Sequence, residues 1–272
     1  MEQIAGTLAI NRTHLYYERA GSGHPLVLIH GFTLDTRMWD DQFAVFARHY
    51  QVIRYDMRGS GRSALPTEEP FTAVDDLRAL LDALGVSRTF VLGLSRGGSI
   101  AIDFALAYPD RTSALVLVDP ALGGWPWSEA FSQSMRELEI AAQTQGVDAA
   151  RQRWLAHPFF QPAQERPELA RQLAQIVANY SGWSWLHASP ERDADLPEVR
   201  PLERISTPTL LVMGERDIEE FQAIAHHISC LIPHLTKLVL PEVGHMANME
   251  APDAFNEAVL RFLGSLKHHY LE

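Results

Sequence analysis

Apolar runs of about five residues recur along the first part of the chain, each followed by a stretch whose apolar positions repeat every three to four residues. Residues 25–29 and 89–93 read as strands covered on both faces, because no polar alternation marks a solvent side, and 51–55 and 114–118 read as further strands. Between them, Met38, Phe43, Val45 and Phe46 share one side of a helix predicted over 36–48. Further helices are predicted over 72–84 and 99–107, the second closed by Tyr108-Pro109, since proline cannot continue the hydrogen-bond ladder. Ahead of them, 7–10 and 15–19 read as two short antiparallel strands joined at Asn11-Arg12. Buried strands alternating with amphipathic helices predict an α/β fold, a mostly parallel sheet with helices on both faces.

The pattern changes at Ala121. Residues 122–204 hold no buried-strand signal; helices are predicted over 128–145, 148–155 and 168–180, and five of the six tryptophans fall here. Strand and helix then resume at 209–213, 219–231, 236–240 and 252–266. The expected organisation is therefore one sheet domain, 1–121 and 205–272, interrupted by a helical insertion over 122–204. Gly123-Gly124, at its entrance, reads as a loop, with a hinge as the alternative. The last residues, Tyr270-Leu271-Glu272, read as a remnant without a structural role.

Charge narrows the function classes. With 23 Lys and Arg against 34 Asp and Glu, the net charge is −11 and no basic cluster stands out, which argues against a nucleic-acid partner. No apolar run approaches the roughly 18 residues of a membrane span, so no membrane association is expected and a cytoplasmic location is the simplest reading. The single cysteine, Cys230, excludes a disulfide within the chain and a multi-cysteine metal site; beside Ile228, Leu231 and Ile232 it reads as a buried small hydrophobe. Neither an H-E-x-x-H pair nor a phosphate-cradling glycine loop is present, so no metal or organic cofactor is expected.

The candidate chemistry lies at strand ends. Gly93-Leu94-Ser95-Arg96-Gly97 fits G-x-S-x-G and closes a predicted strand just before a helix, the setting of a nucleophile elbow. The string alone matches by accident in about one chain in ten of this length; its position gives it meaning. A serine hydroxyl needs a base, and His245, in Gly244-His245-Met246 after the last strand, is the candidate among twelve histidines. Asp217, after the strand at 209–213, is the candidate acid to orient it, and Asp119, at the end of another strand, is its competitor. The backbone N–H groups of Phe32, in Ile29-His30-Gly31-Phe32, and of Arg96 are the candidate oxyanion donors. His30 reads as structural, its imidazole bonding the loop backbone.

These motifs, with Asp56-Met57-Arg58-Gly59-Ser60-Gly61-Arg62-Ser63 and Glu250-Ala251-Pro252, resemble the α/β-hydrolase superfamily from about Leu15 to Leu266. The resemblance implies an eight-stranded, mostly parallel core with a helical cap inserted after the sixth strand. It also implies Ser95, Asp217 and His245 as a triad cleaving small-molecule esters, with lactones or the carbon–carbon bonds of ring-cleavage products as the alternatives, and the Asp56–Ser63 loop as scaffold. Small bacterial esterases, 3-oxoadipate enol-lactonases and meta-cleavage-product hydrolases are the similar branches; a hydrolase-fold sensor of small ligands is the alternative from another class. Two residues depart from those branches. Arg96 stands where the lactonases carry Met, and Met246 where carbon–carbon hydrolases carry Trp. A serine at position 95, rather than an aspartate, separates the chain from dehalogenases and epoxide hydrolases. Trp125, Trp154, Trp185 and Met246 are the expected pocket residues, and Arg96 favours a substrate carboxylate only if its side chain faces the pocket and not an acidic neighbour.

Overall fold

The computed structural model describes residues 3–266; Tyr270-Leu271-Glu272 lie outside the described residues. In chain order, the first half contains β1 (Gln3–Ile10), β2 (Thr13–Ala20), β3 (Pro25–Ile29), α1 (Asp40–Phe46), β4 (Gln51–Tyr55), α2 (Ala73–Ala83), β5 (Thr89–Leu94), α3 (Arg96–Ala107) and β6 (Thr112–Val118). Next come α4 (Glu129–Gln145), α5 (Val147–Leu155), α6 (Gln161–Gln164), α7 (Pro167–Ala178) and α8 (Trp183–Leu186). The chain then forms β7 (Thr209–Gly214), α9 (Glu219–Leu231), β8 (Leu235–Leu240), α10 (Ala247–Glu250) and α11 (Pro252–Ser265).

The eight strands make one sheet in the order β1-β2-β4-β3-β5-β6-β7-β8. β1 pairs antiparallel with β2, and β2 antiparallel with β4; the remaining neighbours are parallel. This is the mostly parallel sheet that the apolar runs predict. Every residue of β5, β6 and β7 is buried, as a strand covered by helices on both faces must be. β1 is the exception: an edge strand exposed along much of its length, it starts at Gln3 where no apolar run announces it.

Crossing from β3 to β5 and onward, the strands point the same way, so their C-terminal ends, and the loops after them, gather at one edge. Ser95 follows β5, Asp119 follows β6, and Asp217 and His245 follow β7 and β8. The helices α4 to α8 all lie between β6 and β7. Gly123 and Gly124 are packed tightly against the chain that returns to β7. A Cβ on Gly123 would stand 2.5 Å from the Arg200 guanidinium, and one on Gly124, at φ +72°, 1.8 Å from the Glu198 carbonyl. Their small size serves close packing, where the sequence left loop and hinge open. Arg200 in turn pairs with Asp103 of α3 at 2.6 Å, with its own side chain only 1% exposed.

Cys230 departs from expectation. It is exposed on α9, with Sγ 3.7 Å from His226 Nε2 one turn earlier. The buried stripe of α9 runs through Phe221, Ile224, Ala225 and Ile228, and Cys230 falls off it despite its apolar neighbours in sequence.

Candidate active site

Ser95 has φ +54° and ψ −116°, a conformation that a residue with a Cβ adopts only under constraint, at a cost on the order of 1–3 kcal/mol. The neighbouring glycines make that turn possible. A Cβ on Gly93 would sit 2.1 Å from the Gly97 carbonyl oxygen, one on Gly97 2.2 Å from the Ile29 oxygen, and one on Gly98 2.6 Å from Pro120 Cβ. β5 and α3 can therefore fold back on each other only with glycine at these places. The Ser95 N–H donates to the Val118 carbonyl at 2.9 Å, tying the turn to β6. Arg96 opens α3, where a backbone N–H has no partner within the helix.

His245 is buried, and its Nδ1 lies 2.7 Å from Asp217 Oδ2. With that nitrogen donating, the neutral ring presents Nε2 as an acceptor. Asp217 is itself fixed: its Oδ1 accepts the Ile218 N–H at 2.8 Å. Glu250 braces the histidine from both sides, Oε2 accepting from Gly244 N–H at 2.8 Å and Oε1 from Met246 N–H at 3.1 Å. Burial raises the Glu250 carboxyl above its usual range, opposed by those two N–H groups. Phe221 and Phe159 flank the imidazole with centroids 4.2 and 4.7 Å away.

Ser95 and His245 line one small cavity of about 10 Å³, together with Gly31, Phe32, Trp154, Phe159, Phe160 and Met246. Five of the expected residues thus meet: Ser95, His245, Phe32, Trp154 and Met246. Trp154, from α5, donates its indole N–H to Thr33 Oγ1 at 2.6 Å and so locks the insertion to the loop after β3. Trp185 is buried behind the cavity, edge-on to Phe32 and Tyr180. Trp125 stands elsewhere, against His227 of α9 with centroids 5.4 Å apart. The Arg96 side chain lines a second cavity, where its Nη2 pairs with Glu191.

Asp119 is not a solvated turn residue. It is buried, with φ +39°, and its Oδ1 accepts the Gly214 N–H at 2.9 Å. Burial first, and then the charge of Asp217 beside it, push its carboxyl well above the usual range, and its Oδ2 is buried without a hydrogen-bond partner. Of the two acids, Asp217 is the one in contact with the imidazole. His30 is structural: Nδ1 donates to Gly31 O at 2.8 Å and Nε2 accepts the Met57 N–H at 2.9 Å. The Asp56 carboxylate, accepting from Thr36 and Arg62 backbone N–H groups at 2.7 and 2.8 Å, holds its own loop together. Among the described residues no cluster of His, Cys, Asp and Glu has the arrangement to hold a metal ion, and no helix is long and apolar enough to cross a membrane.

A sequence model of the alpha/beta hydrolase family matches residues 26–258. The chain belongs to the alpha/beta hydrolase family. It is 33% identical to 3-oxoadipate enol-lactonase 2 of Acinetobacter baylyi, over 93% of this chain and 94% of that one. Carboxylesterase YbfK of Bacillus subtilis is 26% identical over 94% of this chain and 86% of its own length. Among solved structures, the enol-lactonase from Burkholderia xenovorans superposes with a TM-score of 0.83 at 26% identity, covering 95% of this chain and all of that one. This hydrolase therefore has both lactonase and esterase relatives, and its motifs fall at the strand ends just described.

Proposed function

We propose that this hydrolase is a serine carboxylesterase, with Ser95 as nucleophile, His245 as base and Asp217 as the acid that orients it. One observation carries the reading: Ser95 on a strained strand-to-helix turn shares a cavity with a buried histidine whose other ring nitrogen is held by a carboxylate at 2.7 Å. His245 Nε2 takes the Ser95 proton as Oγ attacks the ester carbonyl, and returns it to the departing alkoxide. The same nitrogen then activates a water that releases the acid from the acyl-enzyme. The Phe32 and Arg96 N–H groups receive the oxyanion, a role for which one donor contributes on the order of 3–4 kcal/mol. The insertion over 122–204 serves as a cap that covers the reacting groups with aromatic side chains. Asp217 stabilises the imidazolium without taking its proton.

A second reading, lactone opening by the same groups, is favoured by the enol-lactonase relative at 33% identity. Both are tested on p-nitrophenyl esters of graded acyl length and on five- and six-membered lactones, with the wild type and Ser95→Ala. Turnover that disappears in a folded Ser95→Ala variant is the expected result, and the better substrate series decides between the two readings. Absence of turnover on both series, with a ligand-induced rise in Tm, would overturn them in favour of a sensor.

A further inference from the structure

A second cavity, of about 160 Å³, shares Phe32 as a wall with the one that holds Ser95. Its surface is mainly aromatic and apolar, with Tyr55, Met57, Phe71, Tyr180 and Trp183. Four charged side chains also reach it, and they form two closed pairs. Arg58 holds Asp76 through Nε and Nη2, at 2.9 and 2.7 Å, and both side chains are almost fully buried. Arg96 donates to Glu191, which comes from the far end of the insertion, 95 residues away.

We infer that Glu191 sets the charge class of the substrate: by neutralising Arg96, it makes this cavity a subsite for an uncharged, apolar group of the ester and turns away groups that carry a carboxylate. The inference rests on the ester-hydrolase reading. Arg96 is the residue next to Ser95, so a free guanidinium there would attract an anionic acyl chain. With Glu191 in contact, an incoming carboxylate meets attraction and repulsion from nearly the same point, while the cost of leaving water remains. The other cation is already matched: Asp76 occupies the Nε–Nη2 edge of Arg58, whose Nη2 also donates to the Asn11 carbonyl at 3.0 Å.

Glu191 is held in the cavity wall by its backbone. The Phe71 N–H donates to the Pro190 carbonyl at 3.4 Å and the Arg192 N–H to the Phe71 carbonyl at 2.8 Å, a single parallel bridge around Glu191. Phe71 is itself anchored, with the Arg58 guanidinium 4.0 Å above its ring. Arg58 thus packs on the residue whose backbone bridges to the segment that carries Glu191.

The test compares two substrates of equal acyl length, p-nitrophenyl hexanoate and the mono-p-nitrophenyl ester of adipic acid. The wild type is expected to favour the hexanoate in kcat/KM. Glu191→Gln, or Glu191→Ala should the first variant not fold, should raise the adipate-to-hexanoate ratio by about tenfold or more. Adding Arg96→Gln to the same chain should return the ratio toward its starting value. A wild type that already prefers the adipate ester, or a ratio that Glu191→Gln and Glu191→Ala both leave unmoved, would overturn the inference. Binding of the two esters to Ser95→Ala, with and without Glu191→Gln, reads the charge preference without turnover. Loss of the hydrolase reading alone would therefore show as absent turnover with the neutral preference still present in binding.

Discussion

Asp217 Oδ2 meets His245 Nδ1 at 2.7 Å, in a place where both side chains are withdrawn from water. The contact fixes the ring's tautomer and would stabilise the imidazolium formed when Ser95 gives up its proton. Asp217→Asn keeps the shape but offers an amide that can donate to Nδ1, which turns the ring's acceptor the wrong way. We expect kcat to fall by about 10³ to 10⁴ with KM little changed, measured by steady-state ester hydrolysis. A loss below tenfold would remove Asp217 from the role proposed for it.

Asp119 gives the opposite expectation. Its Oδ1 takes the Gly214 N–H, a contact that the amide oxygen of asparagine reproduces. Asp119→Asn should retain turnover. Because burial and Asp217 raise the native Asp119 above the usual 3.8, the folded state holds a proton that the unfolded chain releases, and the wild type loses stability as pH rises from there through the raised value. The variant lacks that loss, so its Tm advantage over wild type should be small near pH 4 and larger near pH 8. Asp119→Ala leaves the Gly214 N–H buried and unpaired, at about 1–3 kcal/mol.

Much of this arrangement is legible in the chain. The strand over 25–29 falls where the apolar run puts it, because a strand buried on both faces has no other signature. The signal fails where polarity hides burial. β6 begins at Thr112 and Ser113, both buried, ahead of the apolar run. α3 begins at Arg96 rather than 99, because the turn at Ser95 drives Gly97 and Gly98 into a helix that their intrinsic preference opposes. Ser95, Asp217 and His245 stand out because strand ends are marked by glycine and by chain order. Glu250 is quoted only as part of a motif, with no sign that it braces His245, and Glu191 does not stand out at all, since their partners are fixed by side-chain direction and by contacts distant in sequence. Arg96 shows the same limit: one sequence cannot say that its guanidinium meets an acid rather than solvent.

His157, on the insertion, packs between Trp154 and Phe159 and bonds Ser134 Oγ at 3.3 Å. Burial first, and the nearby His245 second, lower it from 6.5 to about 4. The unfolded chain therefore takes up a proton that the folded state refuses, and stability falls as pH drops from 6.5 to about 4. His157→Gln, which keeps a group to meet Ser134, should flatten the Tm profile across that window while leaving it parallel to wild type above pH 7. Parallel profiles throughout would contradict the lowered value.

Gly93 is the strictest requirement in the elbow. An alanine there puts its Cβ 2.1 Å from the Gly97 oxygen and 2.3 Å from the Gly97 carbon, both backbone atoms of the helix that begins just after Ser95. No side-chain rotation relieves that contact; β5 and α3 have to move apart. Their separation would shift Ser95 relative to His245, and would open the buried seam between β5 and its neighbours. Gly93→Ala should therefore cost more than about 4 kcal/mol, beyond the ordinary range of single substitutions, and should show as a protein that is insoluble or melts far below wild type. Gly264→Ala is the matched control, since nothing lies within 4 Å of a Cβ at that position in α11. There the smaller conformational freedom of alanine in the unfolded chain and its better helix propensity predict a gain of about 0.5–1 kcal/mol. Opposite signs for the same chemical change, read from Tm and denaturant midpoints, would trace the difference to the contact with Gly97.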